Sequence, residues 1–102
     1  MPSFDSLPLH DAVLTAIEVD WTAGTCLLRV ETSAAVDPQA GSRELRFDGI
    51  QRLELPRTMP WGRSSQINGT ASTGGVFCCE MQSGDTIKLT AERYSLSGSS
   101  AV

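Results

Sequence analysis

Val13-Leu14-Thr15-Ala16-Ile17-Glu18-Val19-Asp20-Trp21, then Thr22-Ala23-Gly24, then Thr25-Cys26-Leu27-Leu28-Arg29-Val30-Glu31 is the stretch from which the fold is read. Its period is two. Val13, Thr15, Ile17, Val19 and Trp21 alternate with Leu14, Ala16, Glu18 and Asp20; after the Gly-containing break, Cys26, Leu28 and Val30 alternate with Thr25, Leu27, Arg29 and Glu31. Successive side chains of a strand point to opposite faces, so this pattern predicts two half-buried strands joined as a hairpin.

The same period recurs downstream. Residues 32–42 are small and polar around Asp37-Pro38 and Gly41, which predicts a connecting loop. Leu45 and Phe47 then alternate with Glu44, Arg46 and Asp48. Gly49 marks a bulge or bend, since a strand tolerates a residue without Cβ mainly where the backbone needs it. Leu53 and Leu55 follow, opposed by Arg52 and Glu54, until Pro56 ends the run. From Pro56 to Gly75 the pattern fades, and the expectation is a long excursion with at most a short strand near Ile67. Val76–Met81, Ser83-Gly84-Asp85 and Thr86–Tyr94 form a second hairpin, with Ile87, Leu89 and Ala91 on one face. Phe4, Leu7 and Leu9 are expected to cap one open end of the core. The reading is a single all-β domain over 1–102, an antiparallel sandwich or half-open barrel of about six short strands, with an irregular lead-in (1–11) and tail (97–102).

Composition narrows the function classes. At 102 residues the chain is one unit, too short for a two-domain dinucleotide enzyme or an α/β barrel. Twelve Asp and Glu against eight Lys and Arg give a net charge of −4, which argues against nucleic acid as a partner. The five arginines from Arg43 to Arg63 are interspersed with Glu44, Asp48 and Glu54 and read as a mixed, solvated face. Apolar runs are far below the roughly 20 residues that cross a bilayer, so no membrane partner is expected. The N-terminus lacks a secretory pattern and the three cysteines lack a framework spacing; both point to a cytoplasmic protein.

Residues that carry chemistry are few. His10, the sole histidine, is followed by Asp11; the pair could work as a general base, or simply cap the turn ahead of the first strand. A metal site needs three or four converging ligands, which this chain does not offer in sequence, and no cofactor motif is present. Cys78 and Cys79 are adjacent on a strand and therefore face opposite sides; catalysis by either would require exposure, a depressed pKa and His10 nearby. Met59-Pro60-Trp61-Gly62-Arg63-Ser64-Ser65 places an aromatic and an arginine in a Pro/Gly-punctuated loop. Trp and Arg are enriched where proteins bind one another, so Trp61, Arg63 and Ser65, with His10 and Asp11, are the candidate contact residues. Trp61 could equally fold back as a plug.

Four segments carry a resemblance: Leu9-His10-Asp11-Ala12-x-Leu14-x-x-Ile17; Leu45-x-Phe47-x-Gly49-Ile50-x-x-Leu53; Pro60-Trp61-Gly62-x-Ser64-x-x-Ile67-Asn68; and Glu80-Met81-Gln82-Ser83-Gly84-Asp85-x-Ile87. In this order they resemble a group of small bacterial all-β proteins, some similar to immunity proteins of polymorphic toxin systems. The resemblance implies a bacterial cytoplasmic protein with a binding role and brings no catalytic residues; the Cys78-Cys79 pair is not part of it. Two functions are therefore weighed. One is a non-enzymatic protein-binding module whose acidic surface suits a basic, toxin-like partner. The other is a small ligand-binding or hydrolase-like site near His10 and Asp11. A homodimer through a strand edge is a further expectation, since a chain of this size gains burial by pairing an edge.

Overall fold

The structure, a computed structural model, describes residues 4–58 and 65–97. It is an all-β sandwich of two antiparallel sheets that do not close into a barrel. A 3-10 turn, Phe4–Ser6, precedes β1 (Val13–Asp20), β2 (Thr25–Glu31), β3 (Ser42–Asp48), β4 (Arg52–Glu54), β5 (Ile67–Thr73), β6 (Val76–Met81), β7 (Thr86–Thr90) and β8 (Arg93–Ser97). The first sheet runs β1-β2-β3-β8 and the second β4-β7-β6-β5. Cys26, Leu28 and Val30 of β2, Leu45 and Phe47 of β3, Phe77, Cys79 and Met81 of β6, and Ile87 and Leu89 of β7 form the core between them.

Among the described residues eight strands stand where about six were expected, for two reasons. The run Thr86–Tyr94 is divided, because the chain leaves the second sheet at Ala91 and joins the first as β8; Ser97, assigned to the tail, ends that strand. The segment Ile67–Thr73 is a full strand paired with β6, not a short one. Its Gly-Thr-Ala-Ser-Thr sequence carries no apolar alternation, because its inward positions are polar. Thr70 Oγ1 donates to Phe4 O at 2.8 Å, and Ser72 donates to Asp5 Oδ1 from its N–H at 2.7 Å and its hydroxyl at 3.0 Å. The β5–β6 turn is Gly74-Gly75, with φ of 57° and 83°, a left-handed pair that only glycine supplies without strain.

Two chain stretches cross between the sheets at one corner. β3 continues into β4 and β7 into β8, while β3 pairs with β8 and β4 with β7, so two bent strands run antiparallel on both sides of the bend. Gly49 takes the corner with φ of 68°, and a Cβ there would stand 2.8 Å from Glu92 Cβ. The backbone is pinned across the corner by Glu92 N–H to Asp48 O at 2.9 Å and Gln51 N–H to Thr90 O at 2.8 Å. The bend expected at Gly49 is therefore the change of sheet itself.

The flank beside β5 and β8 is closed by Phe4, as the sequence led us to expect of the lead-in. Its ring lies 4.9 Å from Phe77, 5.0 Å from Tyr94 and 5.9 Å from Phe47, bridging both sheets, and Leu9 is fully buried. The β2–β3 loop is held from within. Asp37 is buried and accepts from Thr32 Oγ1, Gln39 N–H and the Arg43 guanidinium. Burial opposes its charge, but those donors prevail and hold its carboxyl below the ordinary range. Arg43 is thus no part of a solvated face: it stands on the inward side of β3 at the rim of the core and is largely covered.

Gly49→Ala should lower stability by about 2 kcal/mol or more, combining left-handed strain with the clash at Glu92. Urea denaturation measures it; an unchanged midpoint would contradict the corner.

Candidate functional site

The first strand does not alternate as its sequence suggests. Its register with β2 slips between Leu14 and Ala16, leaving Thr15 as an extra residue whose hydroxyl donates to Arg29 O at 3.1 Å. A bulge changes the parity of what precedes it. Leu14, opposite Val30, therefore shares the inward side with Ile17 and Val19, opposite Leu28 and Cys26. Yet no residue of β1 is buried. The cause is the second sheet: β4, which would cover this side, is three residues long.

Among the described residues, β1 is fastened to the second sheet at its start. Leu14 N–H donates to Ser65 O at 2.6 Å, Asp11 N–H to Ile67 O at 2.8 Å and Ile67 N–H to Ala12 O at 2.9 Å, with a single bridge between Val13 and Gln66. Beyond Thr15 the strand runs along a seam. One opening, of about 340 Å³, lies between Leu14–Ile17 and Leu55, Pro56, Ser65, Met81 and Ile87. A second, of about 310 Å³, lies between Val19–Trp21 and Ile50–Leu53. The wall at Leu55–Thr58 is held by the buried Asp85, which accepts from Thr58 N–H at 3.0 Å, Thr58 Oγ1 at 3.3 Å and Ser83 Oγ at 3.0 Å.

Trp21 stands at the end of this seam. The sequence placed it on a strand face; the strand ends at Asp20, and Trp21 opens the turn, with 88% of its surface exposed. The turn is braced at three points. Asp20 accepts from Ala23 N–H through its carboxylate (3.0 Å) and from Gly24 N–H through its carbonyl (2.9 Å), and Gly24 O accepts from Ile50 N–H (2.9 Å). Val19, 43% exposed, and Leu55, 42% exposed, extend the apolar surface along the seam. The sequence held a signal for Trp21: an Asp four residues ahead of a Gly caps a turn that begins immediately after it.

The sequence-derived candidates divide three ways. Trp61 and Arg63 lie outside the described residues. Ser65 is exposed and lines the larger seam opening, where its carbonyl receives β1. His10 and Asp11 sit together at the junction of β1 and β5, both more than half exposed. His10 Nδ1 is 2.7 Å from Asn68 O and its Nε2 3.6 Å from Asp11 Oδ2. Asp11, with φ of 64°, accepts from Gln82 Nε2 at 2.5 Å, and Asn68 Nδ2 donates to Glu80 at 2.8 Å. This is a chain of polar contacts on an outer surface. It lines neither seam opening, and the hydrogen bonds fasten the lead-in to β5 and to the β6–β7 turn.

Two of the three thiols are shut away from solvent. Cys79 and Cys26 are wholly buried, and burial pushes the Cys79 thiol up to about 12, with smaller contributions from Cys78 and Cys26. Cys78, half-buried, faces the outside of the second sheet beside Lys88 and Ala71. Among the described residues no three metal-binding side chains converge, and no helix is long and apolar enough to cross a membrane.

The outer face of the first sheet is acidic by construction. Arg29 lies between Glu18, 2.6 Å away, and Glu44, one cation between two carboxylates. Hydrogen bonding and attraction from Glu18, joined by Glu44, raise the guanidinium above its ordinary value. Asp48 is shared by Arg46 and Arg93. A broader groove, about 650 Å³, runs along β8 past Leu7, Pro38 and Leu96, but its charged walls, Asp37 and Arg43, are paired with one another.

No protein-family model, no curated protein and no solved structure matches the chain.

In the native protein only Cys78 should react with a thiol reagent such as a dithiobenzoate near pH 8, and all three cysteines should react in denaturant. Because Cys79 keeps its proton when folded but loses it in the ordinary thiol range when unfolded, its contribution to stability is intact below that range. It should fall away as pH rises from there toward about 12. A native Cys79 that reacts as fast as Cys78 would contradict its placement.

Proposed function

We propose that the protein is a non-enzymatic binding module that docks on another protein through the seam along β1 and the Trp21 indole at its end. The observation that carries this reading is an indole held out in solvent on a braced turn, at the end of a continuous apolar surface. A flexible turn would let a tryptophan fold down onto neighbouring apolar atoms. Here the backbone is fixed before the partner arrives, so little ordering cost remains to be met on binding. A tryptophan in such a place is the usual residue on which binding energy concentrates.

The acidic balance favours a basic partner, since complementary fields hasten encounter and exclude like-charged surfaces. The resemblance to immunity proteins points the same way, toward a basic toxin-like protein in a bacterial cytoplasm. The alternative, a ligand or hydrolase-like site at His10 and Asp11, has less support, because that pair is engaged in fastening the lead-in and lines neither of the openings along the seam.

The test is capture of partners from the native host with wild-type protein and with Trp21→Ala, which removes an exposed side chain and should leave folding intact. The variant should bind the captured partner roughly 30-fold more weakly, the loss of a typical tryptophan anchor. Undiminished binding by Trp21→Ala would refute the reading. Trp61→Ala run beside it tests the loop expectation: weaker capture by a folded variant would add Trp61 to the contact, and unfolding would assign it to the core.

A further inference from the structure

We infer that the opening at the corner end of the seam receives an arginine side chain of the partner, its guanidinium laid on the Trp21 indole and paired with the Asp20 carboxylate. This rests on the protein-binding reading above and names the group by which a basic partner is held.

Trp21 and Asp20 line one opening, of about 310 Å³, together with Val19, Ile50 and Leu53. That is the lower end of the range in which pockets hold a ligand, and it suits a single long side chain. Three features ask for an amphipathic occupant. Val19, Ile50 and Leu53 offer an apolar wall to a methylene stem. The indole, 88% exposed, offers the negative face of its ring to a cation. Asp20 offers a carboxylate that is already oriented, because Ala23 N–H donates to one of its oxygens at 3.0 Å. Among the described residues Asp20 takes part in no ion pair, whereas the other charge on the rim, Arg52, is matched by Glu54 at 3.0 Å.

The surroundings carry the same sign. Asp20 also borders a shallower opening on the outer face with Glu18, and Glu18 shares Arg29 with Glu44. A planar guanidinium suits this set better than an ammonium, since it stacks flat on an aromatic ring and keeps donors in its plane for a carboxylate.

Residues 59–64 are joined at the other end of the seam, between Thr58, held by Asp85, and Ser65, bonded to Leu14. A loop of that length reaches at most about 12 Å from its ends. Trp21 stands roughly 20 Å from Leu14 along β1. The contacts that shape the corner end, Ile50 N–H to Gly24 O and Gly24 N–H to Asp20 O, lie wholly within the described residues.

Capped tripeptides test the inference on the full chain by two-dimensional NMR, with the Trp21 indole N–H signal identified by its loss in Trp21→Ala. The probes carry arginine, citrulline or norleucine between two valines; citrulline keeps the shape without the charge, and norleucine keeps only the stem. The arginine peptide should shift the Trp21 indole and the backbone amides of Gly24, Ile50 and Gln51. It should bind about tenfold more tightly than either neutral peptide, the joint effect of a cation–π contact and an exposed ion pair. Asp20→Asn keeps an acceptor for Ala23 N–H and should reduce that margin to about threefold, and Trp21→Ala should do likewise. Equal binding of the arginine and neutral peptides, a margin unchanged in folded Asp20→Asn or Trp21→Ala, shifts centred elsewhere, or no shifts at tens of millimolar peptide would each overturn the inference. Sedimentation of the free protein should give a monomer; a dimer broken by Trp21→Ala would overturn it too, by assigning the opening to a second copy. If the peptides fail while Trp21→Ala still weakens partner capture, the protein-binding reading stands without an arginine at its contact. If the peptides bind as expected and Trp21→Ala leaves capture unchanged, that reading fails and the arginine site remains.

Discussion

The molecule depends on one corner. At Gly49 and at Ala91–Glu92, two neighbouring strands leave one sheet for the other while remaining paired, so the sheets are joined by continuous backbone hydrogen bonding as well as by the core. Gly49 is required because its left-handed backbone and the nearness of Glu92 leave no room for a side chain. A sandwich joined along one corner must still be closed elsewhere. On one flank Phe4 does this, with an aromatic cluster that touches strands of both sheets. On the other, β4 stops after three residues and Pro56 follows, so the inward side of β1 has only a partial cover. The seam is a consequence of this unequal closure.

Alternation made β2, β3, β6 and β7 legible, because each buries one face and solvates the other, and that is the only condition under which the period of two reports burial. Where a different force set the orientation of side chains, the pattern failed. β5 turns Thr70 and Ser72 inward to hydrogen-bond the lead-in, so hydroxyl groups stand where aliphatic ones were sought. In β1 a single extra residue, Thr15, moves Leu14 to the other parity. Arg43 turns toward the core rim because Asp37, itself buried, offers it a carboxylate there. Each exception is a polar contact or a bulge overriding a simple hydrophobic count.

The site was less legible than the fold. Sequence reasoning gathered His10, Asp11, Trp61, Arg63 and Ser65; of these Ser65 lines the seam, and His10 and Asp11 fasten the chain end to β5 and the β6–β7 turn. Trp21 escaped notice since the strand pattern ran straight through it, although Asp20 ahead of Gly24 announced the turn. Among the described residues Cys26 and Cys79 are buried, and His10 and Asp11 are tied into contacts that fasten the lead-in. The described surface also carries an apolar strip beside an acidic strand face, and the proposed docking rests on that strip.

Amide hydrogen exchange of the protein alone and bound to its captured partner tests this account most directly. It predicts new protection concentrated at residues 15–21 and 50–57, on the two sides of the seam. Protection centred instead on the His10–Gln82 junction or the outside of the second sheet, with the seam exchanging as in the free protein, would contradict it.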